Sequence, residues 1–488
     1  MGTKKTLKKI LKLLGFSVMT LLAVLVINTL LVTSKQPNPS PSPVLKPLHG
    51  YAERLSGAIQ HPTINHYQPT IDSAVFAKFH EFLQHSFPLV FKKAELIKFD
   101  HFALLFYIKG SDTIQKPVVL LAHQDVVPVD SSQWHFAPFK GQMDQTHIMG
   151  RGTLDDKGSL MAILEAVEKM LSEGFSPQRS IYLAFGADEE LDGKGAATMA
   201  AWMNKNNLQP AMILDEGLVI ANGMVPMIDK PVALIGTAEK GYASIKLSIE
   251  LAGGHSSAPG KETAINVLSS AILKATQGLP QTRLCQAVDD FMDYLCPETS
   301  WPERLVFANR WLFKPVIKSV YKSTPSGTAL VSTTAAATVF NAGTTDNVLP
   351  SEASAIINCR ILPGESTQQL MARLTKLLKD ARIKLEFVST RIDPSPVSPI
   401  ENDAFKTLAS TVRQQFPEVL VMPNLMIATS DSRHYAQICP YVYKFAPYNL
   451  TSTDLEGLHG TDERIKITDY EKMISFYAGL IQNFDELP

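Results

Sequence analysis

Four short segments and one distant histidine could do chemistry in this chain: HQD at 123–125, LDD at 154–156, DEE at 188–190, LDE at 214–216, and His459. Imidazole nitrogens and carboxylate oxygens are donors that divalent cations take from proteins, and one carboxylate can bridge two cations about 3.5–4 Å apart. Such a pair activates water for hydrolysis, with a further carboxylate accepting the proton. Taken together, the segments describe a two-metal hydrolase.

Each segment also has a plainer reading. His123 and Asp125 stand two apart on a strand and share a face, so Asp125 suits the carboxylate that orients a metal-bound imidazole, but HxD can equally be a polar strand end. Asp155 and Asp156 precede a helix, where acids cap the first turn; that reading fits Asp156 better than Asp155. Glu189 and Glu190 are adjacent and diverge, so one could hold metal while the other takes a proton; a solvated acidic loop is the alternative. One of Asp215 and Glu216 completes a metal site, and the residues do not say which. His459 alone is an ordinary loop histidine, and it gains meaning as the nitrogen ligand of a second ion.

The elements that must position these groups follow from patterning. The first four segments each follow or end an apolar run such as VVLLAHQDV, SIYLAFGADEE or PAMILDEG, so they sit where strands give way to loops. Helical spacing in IDSAVFAKFHEFLQHSF and SLMAILEAVEKMLSEGF alternates with those strands. This predicts an α/β fold with a mostly parallel mixed sheet and helices on both faces. From about residue 240 the pattern changes: ASIKLSIELAGG, TAINVLSSAILKATQGL, TTAAATVFNAG, ASAIINCRILPG, TQQLMARLTKLLKDARI and KLEFVST give the order β-α-β-β-α-β of a ferredoxin-like α+β domain. Residues 281–328 read as an insertion within it. The expected division is 49–239 and 393–488 for the two parts of the catalytic domain and 240–392 for the inserted one, with ENDAFKTLASTVRQQF a helix of the second part.

A formal charge of -1 and the lack of a Lys/Arg stripe beyond the N-terminus argue against a nucleic-acid partner. The cysteines, Cys285, Cys296, Cys359 and Cys439, form no CxxC pair, which excludes a thiolate zinc ribbon; Cys285 and Cys296 could pair in an exported protein. Residues 1–34 carry Lys4, Lys5, Lys8, Lys9 and Lys12 ahead of an uncharged stretch, Leu13 to Val32, which as a helix spans about 30 Å. This predicts a single-pass anchor with the catalytic part on the non-cytoplasmic side; a cleaved signal peptide and a secreted product is the alternative. The proline-rich segment 35–48 is expected to be an extended spacer holding the globular part off the membrane. Asn449 begins a glycosylation-type sequon.

The motifs HQDVVP, GRGTLDDKG, GADEELDG, ILDEG, GGHSSAP, TTDNVLP, INCRILPG and TSDSRHY resemble, in order, those of the co-catalytic zinc metallopeptidases that include aminoacylase, glutamate carboxypeptidase and carboxypeptidase S. The resemblance runs from about residue 50 to the end and is nearest to carboxypeptidase S and the N-fatty-acyl amino acid hydrolases. It implies two Zn2+ per chain, with Co2+ or Mn2+ as substitutes. His123 and Asp215 would hold one ion, Glu190 and His459 the other, and Asp155 would bridge them; some relatives use an acid aligned with Glu216 instead of Asp215. Asp125 would orient the site, Glu189 would be the general base, and the Asp155-Asp156 peptide would be cis. The inserted domain would be a lid and a homodimer interface. His255, Asn347, Arg360 and Arg433 would contact substrate, Arg433 as a bidentate grip on a free carboxylate. The activity implied is hydrolysis of a peptide or N-acyl amide next to a C-terminal free amino acid. N-fatty-acyl amino acid hydrolysis or synthesis competes with carboxypeptidase action, and a membrane-tethered binding protein without activity is the reading from a different class.

Overall fold

The structure, a computed structural model, describes residues 2–39, 45–65, 72–388 and 390–487. Its larger sheet runs in the order Glu95–Lys98, Leu104–Ile108, Ile181–Gly186, Val118–His123, Met212–Asp215, Val442–Lys444, Val232–Glu239, Ile220–Ala221, Asn449–Leu450, and Leu420–Met426 pairs with Val232–Glu239 off this path. The strand Val118–His123 lies between Ile181–Gly186 and Met212–Asp215 and is parallel to both. Antiparallel strands flank this parallel centre. Every residue of Val118–His123 and Ile181–Gly186 is buried, which is why both read as unbroken apolar runs. Their side chains alternate between two cores: Val118, Leu120 and Ala122 face one, Val119 and Leu121 the other. Helices Lys157–Ser172 and Ile467–Asp485 fill the first core, and Lys194–Lys205 covers the second.

Helix starts follow local chemistry. Asp72, Thr263 and Asn402 each accept a backbone N–H of the first turn, and Ser366 with Gln369 forms a reciprocal capping box. Asp156 departs from the capping expectation. It stands immediately before the helix Lys157–Ser172 but makes no cap hydrogen bond, and its Oδ2 accepts the N–H of His123 instead.

The second sheet is antiparallel, in the order Thr334–Ala342, Glu352–Ile361, Gly241–Glu250, Lys384–Phe387, and carries helices Ala264–Gly278 and Thr367–Leu378. This is the ferredoxin-like unit, with a separate core that includes Ile245, Leu268, Ile357 and Leu374. Lys240 alone separates the last residue of one sheet, Glu239, from the first of the other, Gly241.

The buried apolar residues of the insertion pack with the larger core, not with the core of the domain they interrupt. Ala287, Val288, Met292, Leu295, Phe307, Ile317 and Val331 join the larger core, although they fall within the 240–392 stretch expected for the smaller one. The four cysteines are buried free thiols, so Cys285 and Cys296 are unpaired. Asn449 lies in a short strand with its side-chain amide on Asp469 at 3.0 Å. The N-terminal helix spans Gly2–Leu30, and its Thr6–Leu30 part is long and apolar enough to cross a membrane or to serve as a signal sequence. Residues 40–44 of the expected spacer lie outside the described residues. The chain just before them does not stand off from the protein: the Gln36 amide pairs both ways with the backbone of Val421, at 2.9 and 2.8 Å, and Lys35 meets Glu401 at 3.5 Å.

Candidate metal centre

The parallel centre of the sheet brings three of the acidic segments together. His123 is the last residue of its strand and lies in register with Gly186, the last of the next, so the loop bearing Glu189 and Glu190 starts beside it. Asp215 ends the strand on the other side. His123, Asp155 and Glu190 each offer a donor atom, all within 4.8 Å of one another. Asp155 stands between two imidazoles: Oδ1 is 2.8 Å from His123 Nε2, and Oδ2 is 3.0 Å from His459 Nε2. His459 Nε2 is also 3.3 Å from Glu190 Oε2. The Asp155-Asp156 peptide is cis.

Asp125, fully buried, accepts the N–H of Glu189 on Oδ1 at 3.2 Å and that of Glu190 on Oδ2 at 3.1 Å. The same Oδ1 lies 3.4 Å from His123 Nδ1. Asp125 therefore fixes the imidazole, whose Nδ1 bonds its backbone carbonyl at 3.0 Å, and through its carboxylate the acidic loop.

The fold engages both oxygens of Asp215: Oδ1 accepts the N–H of Glu216 at 3.0 Å and Oδ2 that of Ser432 at 2.7 Å. Glu216 sits among Asp155, Asp215, Asp156 and Glu189, and burial together with these like charges pushes its carboxyl well up. Burial likewise raises Glu189, with Asp431 and Glu190 adding to it. For His123 burial opposes the charge, but hydrogen bonds to Asp125 and Asp155 win and raise it. Hydrogen bonds with Asp155 and then Glu190 bring His459 up to about 10. Buried carboxylates this crowded call for positive charge, and carboxylates with imidazoles are donors a divalent cation accepts. Glu190 Oε1, buried with no hydrogen-bond partner among the described residues, is a free donor in this group.

The Arg433 side chain is 7% exposed, its guanidinium held by the carbonyls of Ser430 at 2.6 Å and Asp192 at 3.1 Å, with Nη1 at 3.6 Å from Glu189 Oε1. His255 and Asn347 are exposed on a ribbon of the smaller domain, where Gly254–His255 pairs with Val348–Leu349. Arg360 stacks over Tyr242 at 4.8 Å in the same domain's sheet. None of these three makes a hydrogen bond to the cluster among the described residues.

Two supporting elements escaped the sequence reading. Glu463, fully buried, accepts the N–H groups of Gly152, Leu154 and Asp155 and pairs with Arg151, whose guanidinium also reaches the Gly460 carbonyl. It ties the His459 loop to the Asp155 loop, and its signal was its place four residues after His459 in the same motif. Asp431 is the other. Its oxygens have no hydrogen-bond partner among the described residues and press where side chains at Gly186 and Gly193 would stand, so glycine is required at both places.

A carboxylate and imidazole cluster at the strand ends of a mixed α/β sheet, joined to a ferredoxin-like domain, defines a metal-dependent hydrolase. Residues 119–483 match the model of peptidase family M20/M25/M40. The chain is 41% identical to a probable carboxypeptidase S-like 2 of Dictyostelium discoideum, over 99% of this chain and 96% of that protein. It is 39% identical to an N-fatty-acyl-amino acid synthase/hydrolase of Mus musculus, over 89% and 87%. Its fold is like that of an M20 family metallo-carboxypeptidase from Sulfolobus solfataricus, with a TM-score of 0.65 at 20% identity, covering 90% of this chain and all of that one. The chain belongs to the M20 peptidase family and is a hydrolase of the peptidase or amidohydrolase type.

Proposed function

We propose that the chain is a membrane-anchored di-zinc amidohydrolase that cleaves a peptide or N-acyl amide bond next to a C-terminal free amino acid. The observation that carries this reading is Asp155, one carboxylate with an oxygen toward each of His123 and His459. His123 with Glu216 would hold one ion and His459 with Glu190 the other, Asp155 serving both. This reading takes Glu216 in place of Asp215, because each Asp215 oxygen accepts a backbone N–H while Glu216 sits among Asp155, Asp156 and Glu189. When bound, the ions supply a water of lowered pKa and polarise the substrate carbonyl.

The rest is the work of the chain itself. Glu189 Oε accepts the proton of the attacking water and returns it to the leaving nitrogen; burial suits it, because a raised carboxyl shifts toward the operating pH of a base. Asp125 keeps Glu189 and Glu190 in place through their N–H groups, and Arg433 steers Glu189 from 3.6 Å. His255, Asn347 and Arg360 contact substrate when the smaller domain closes, and that domain also offers a surface for a homodimer. The N-terminal helix crosses the membrane once, with the site on the non-cytoplasmic side.

The relative from Mus musculus supports a fatty-acyl chain as the acyl group, and the one from Dictyostelium discoideum supports a peptide. The deciding experiment compares turnover of an N-blocked dipeptide with that of an N-fatty-acyl amino acid by the purified full chain. A higher kcat/KM on the fatty-acyl substrate selects the acylase reading, the reverse selects the carboxypeptidase, and activity on neither overturns both.

A further inference from the structure

The helices Trp301–Ala308 and Arg310–Tyr321 of the insertion expose five large apolar side chains within twenty residues. Trp301 is 53% exposed, Trp311 60%, Val316 52% and Val320 61%, and Leu312 is 40% exposed. Leu312, Val316 and Val320 are spaced by four, so they form one stripe of the helix, while Ile317 on its other side is buried in the larger core. Lys314 and Lys322 are exposed beside the stripe. Tryptophans at the margin of an aliphatic face, with lysines flanking it, are the composition of a helix lying in a membrane interface.

The N-terminal helix meets this same hairpin. Among the described residues of that helix only Leu25 and Thr29 are buried, and Asn28 donates to Asn309 Oδ1 at 2.9 Å while Asn309 donates to the Leu25 carbonyl at 3.0 Å. Asn309 joins the two hairpin helices, so the end of the apolar helix is docked at their junction. The preceding turns stand clear of the protein. The contact from Leu25 to Thr29 covers about 6 Å along the helix axis at its C-terminal end.

We infer that the hairpin 301–321 is a second membrane contact, with its Trp301, Trp311, Leu312, Val316 and Val320 face lying in the lipid interface beside the N-terminal helix. The inference rests on the reading of that helix as a membrane anchor. If its last turns sit at the non-cytoplasmic edge of the hydrocarbon, the hairpin docked on them lies at the same depth, about 5–10 Å into the boundary as interfacial helices do. Lys314 and Lys322 then face lipid phosphates. The hydrogen bonds of Gln36 to Val421 hold the chain close just beyond the helix, leaving little slack to lift the domain away.

The test reconstitutes the full chain in phosphatidylcholine and phosphatidylserine vesicles carrying brominated acyl chains. Flotation reports the anchor, and tryptophan quenching reports the hairpin. The expected result is flotation with strong quenching that is lost in the Trp301→Phe/Trp311→Phe variant, because Trp134 and Trp202 lie in the larger domain away from lipid. Flotation with quenching that is weak, or equal in the variant, would overturn the hairpin contact while leaving the anchor standing. Failure to float would overturn the anchor and the contact with it. Efficient oxidative cross-linking between copies of Trp311→Cys in the same vesicles, without quenching of Trp301, would assign the face to a second copy of the chain and overturn the lipid assignment.

Discussion

In the proposed reading the neighbours Glu189 and Glu190 have separate tasks, and the difference comes from what each touches. Glu190 reaches His459 at 3.3 Å, whereas the near polar neighbour of Glu189 is Arg433 at 3.6 Å. Glu189→Gln keeps the shape and removes the base, so kcat should fall by about 10²–10⁴-fold with the bound metal unchanged; metal analysis beside kinetics checks this, and joint loss of metal would merge the two roles. Glu216→Gln should lower the zinc content by one ion per chain. Asp215→Asn should mainly lower the melting temperature, since it weakens the hold on the Ser432 and Glu216 N–H groups; the opposite pattern would return the ligand role to Asp215. His434 provides a pH marker away from the ligands. Burial, helped by Arg433, lowers its pKa to about 4. An unfolded histidine titrates near 6.5, so in the interval the unfolded chain binds a proton the folded one does not. Stability is therefore full above about pH 6.5 and is lost as pH falls toward the folded value. His434→Gln should show a smaller drop in melting temperature between pH 7 and pH 5 than the parent chain.

At the scale of elements, the site depends on loops being tied to each other. The strand ends place His123 and the DEE loop by register alone, but His459 comes from a distant loop that, beyond the Gly150 N–H on the Glu463 carbonyl at 2.9 Å and the pairing of Arg464–Lys466 with His147–Met149, has a side-chain tie to the Asp155 loop. Glu463 makes that tie, with three backbone N–H groups on one side and Arg151 on the other. Breaking a buried ion pair on one side costs about 3–5 kcal/mol. Glu463→Gln should therefore lower the melting temperature sharply and, because the Asp155 and His459 loops separate, weaken zinc retention under dialysis. Wild-type zinc affinity in that variant would reduce Glu463 to a stabilising role. A second tie runs from Glu239, where the larger sheet ends, through Ser430 and Ser432 to Asp215.

Across the whole molecule, the substrate contacts expected on the smaller domain make no hydrogen bond to the metal centre among the described residues, and catalysis in our reading has the two domains close at the Lys240 connection. His255→Ala should then lower kcat by about 10²-fold, as loss of a carbonyl-polarising donor does, with zinc content and melting temperature unchanged; unaltered kcat would remove His255 from the reaction. The fold class was legible in the sequence because each central buried strand had to be an apolar run and three of the four acidic segments follow one, whereas Asp155 lies in a loop after the short strand His147–Met149. That His123, Asp155, Glu190 and His459 come together was legible because their motifs combine donor residues with glycine-rich turns that resemble a known family. The pairings that join distant loops were not, since nothing in local spacing indicates that Glu463 reaches Gly152 or that Asp431 fills the space at Gly186 and Gly193. Nor could periodicity show that the insertion packs on the larger core and meets the N-terminal helix, because an amphipathic face specifies that it will be covered, not by what. The sequence by itself determined the elements, the donors and an apolar N-terminal helix; tertiary structure alone decided which acid of 215 and 216 is engaged by backbone, what holds His459, and where the chain lies against that helix. The reason is physical: hydrophobic period and residue chemistry are local properties, whereas a buried charge is satisfied by whatever partner the fold delivers.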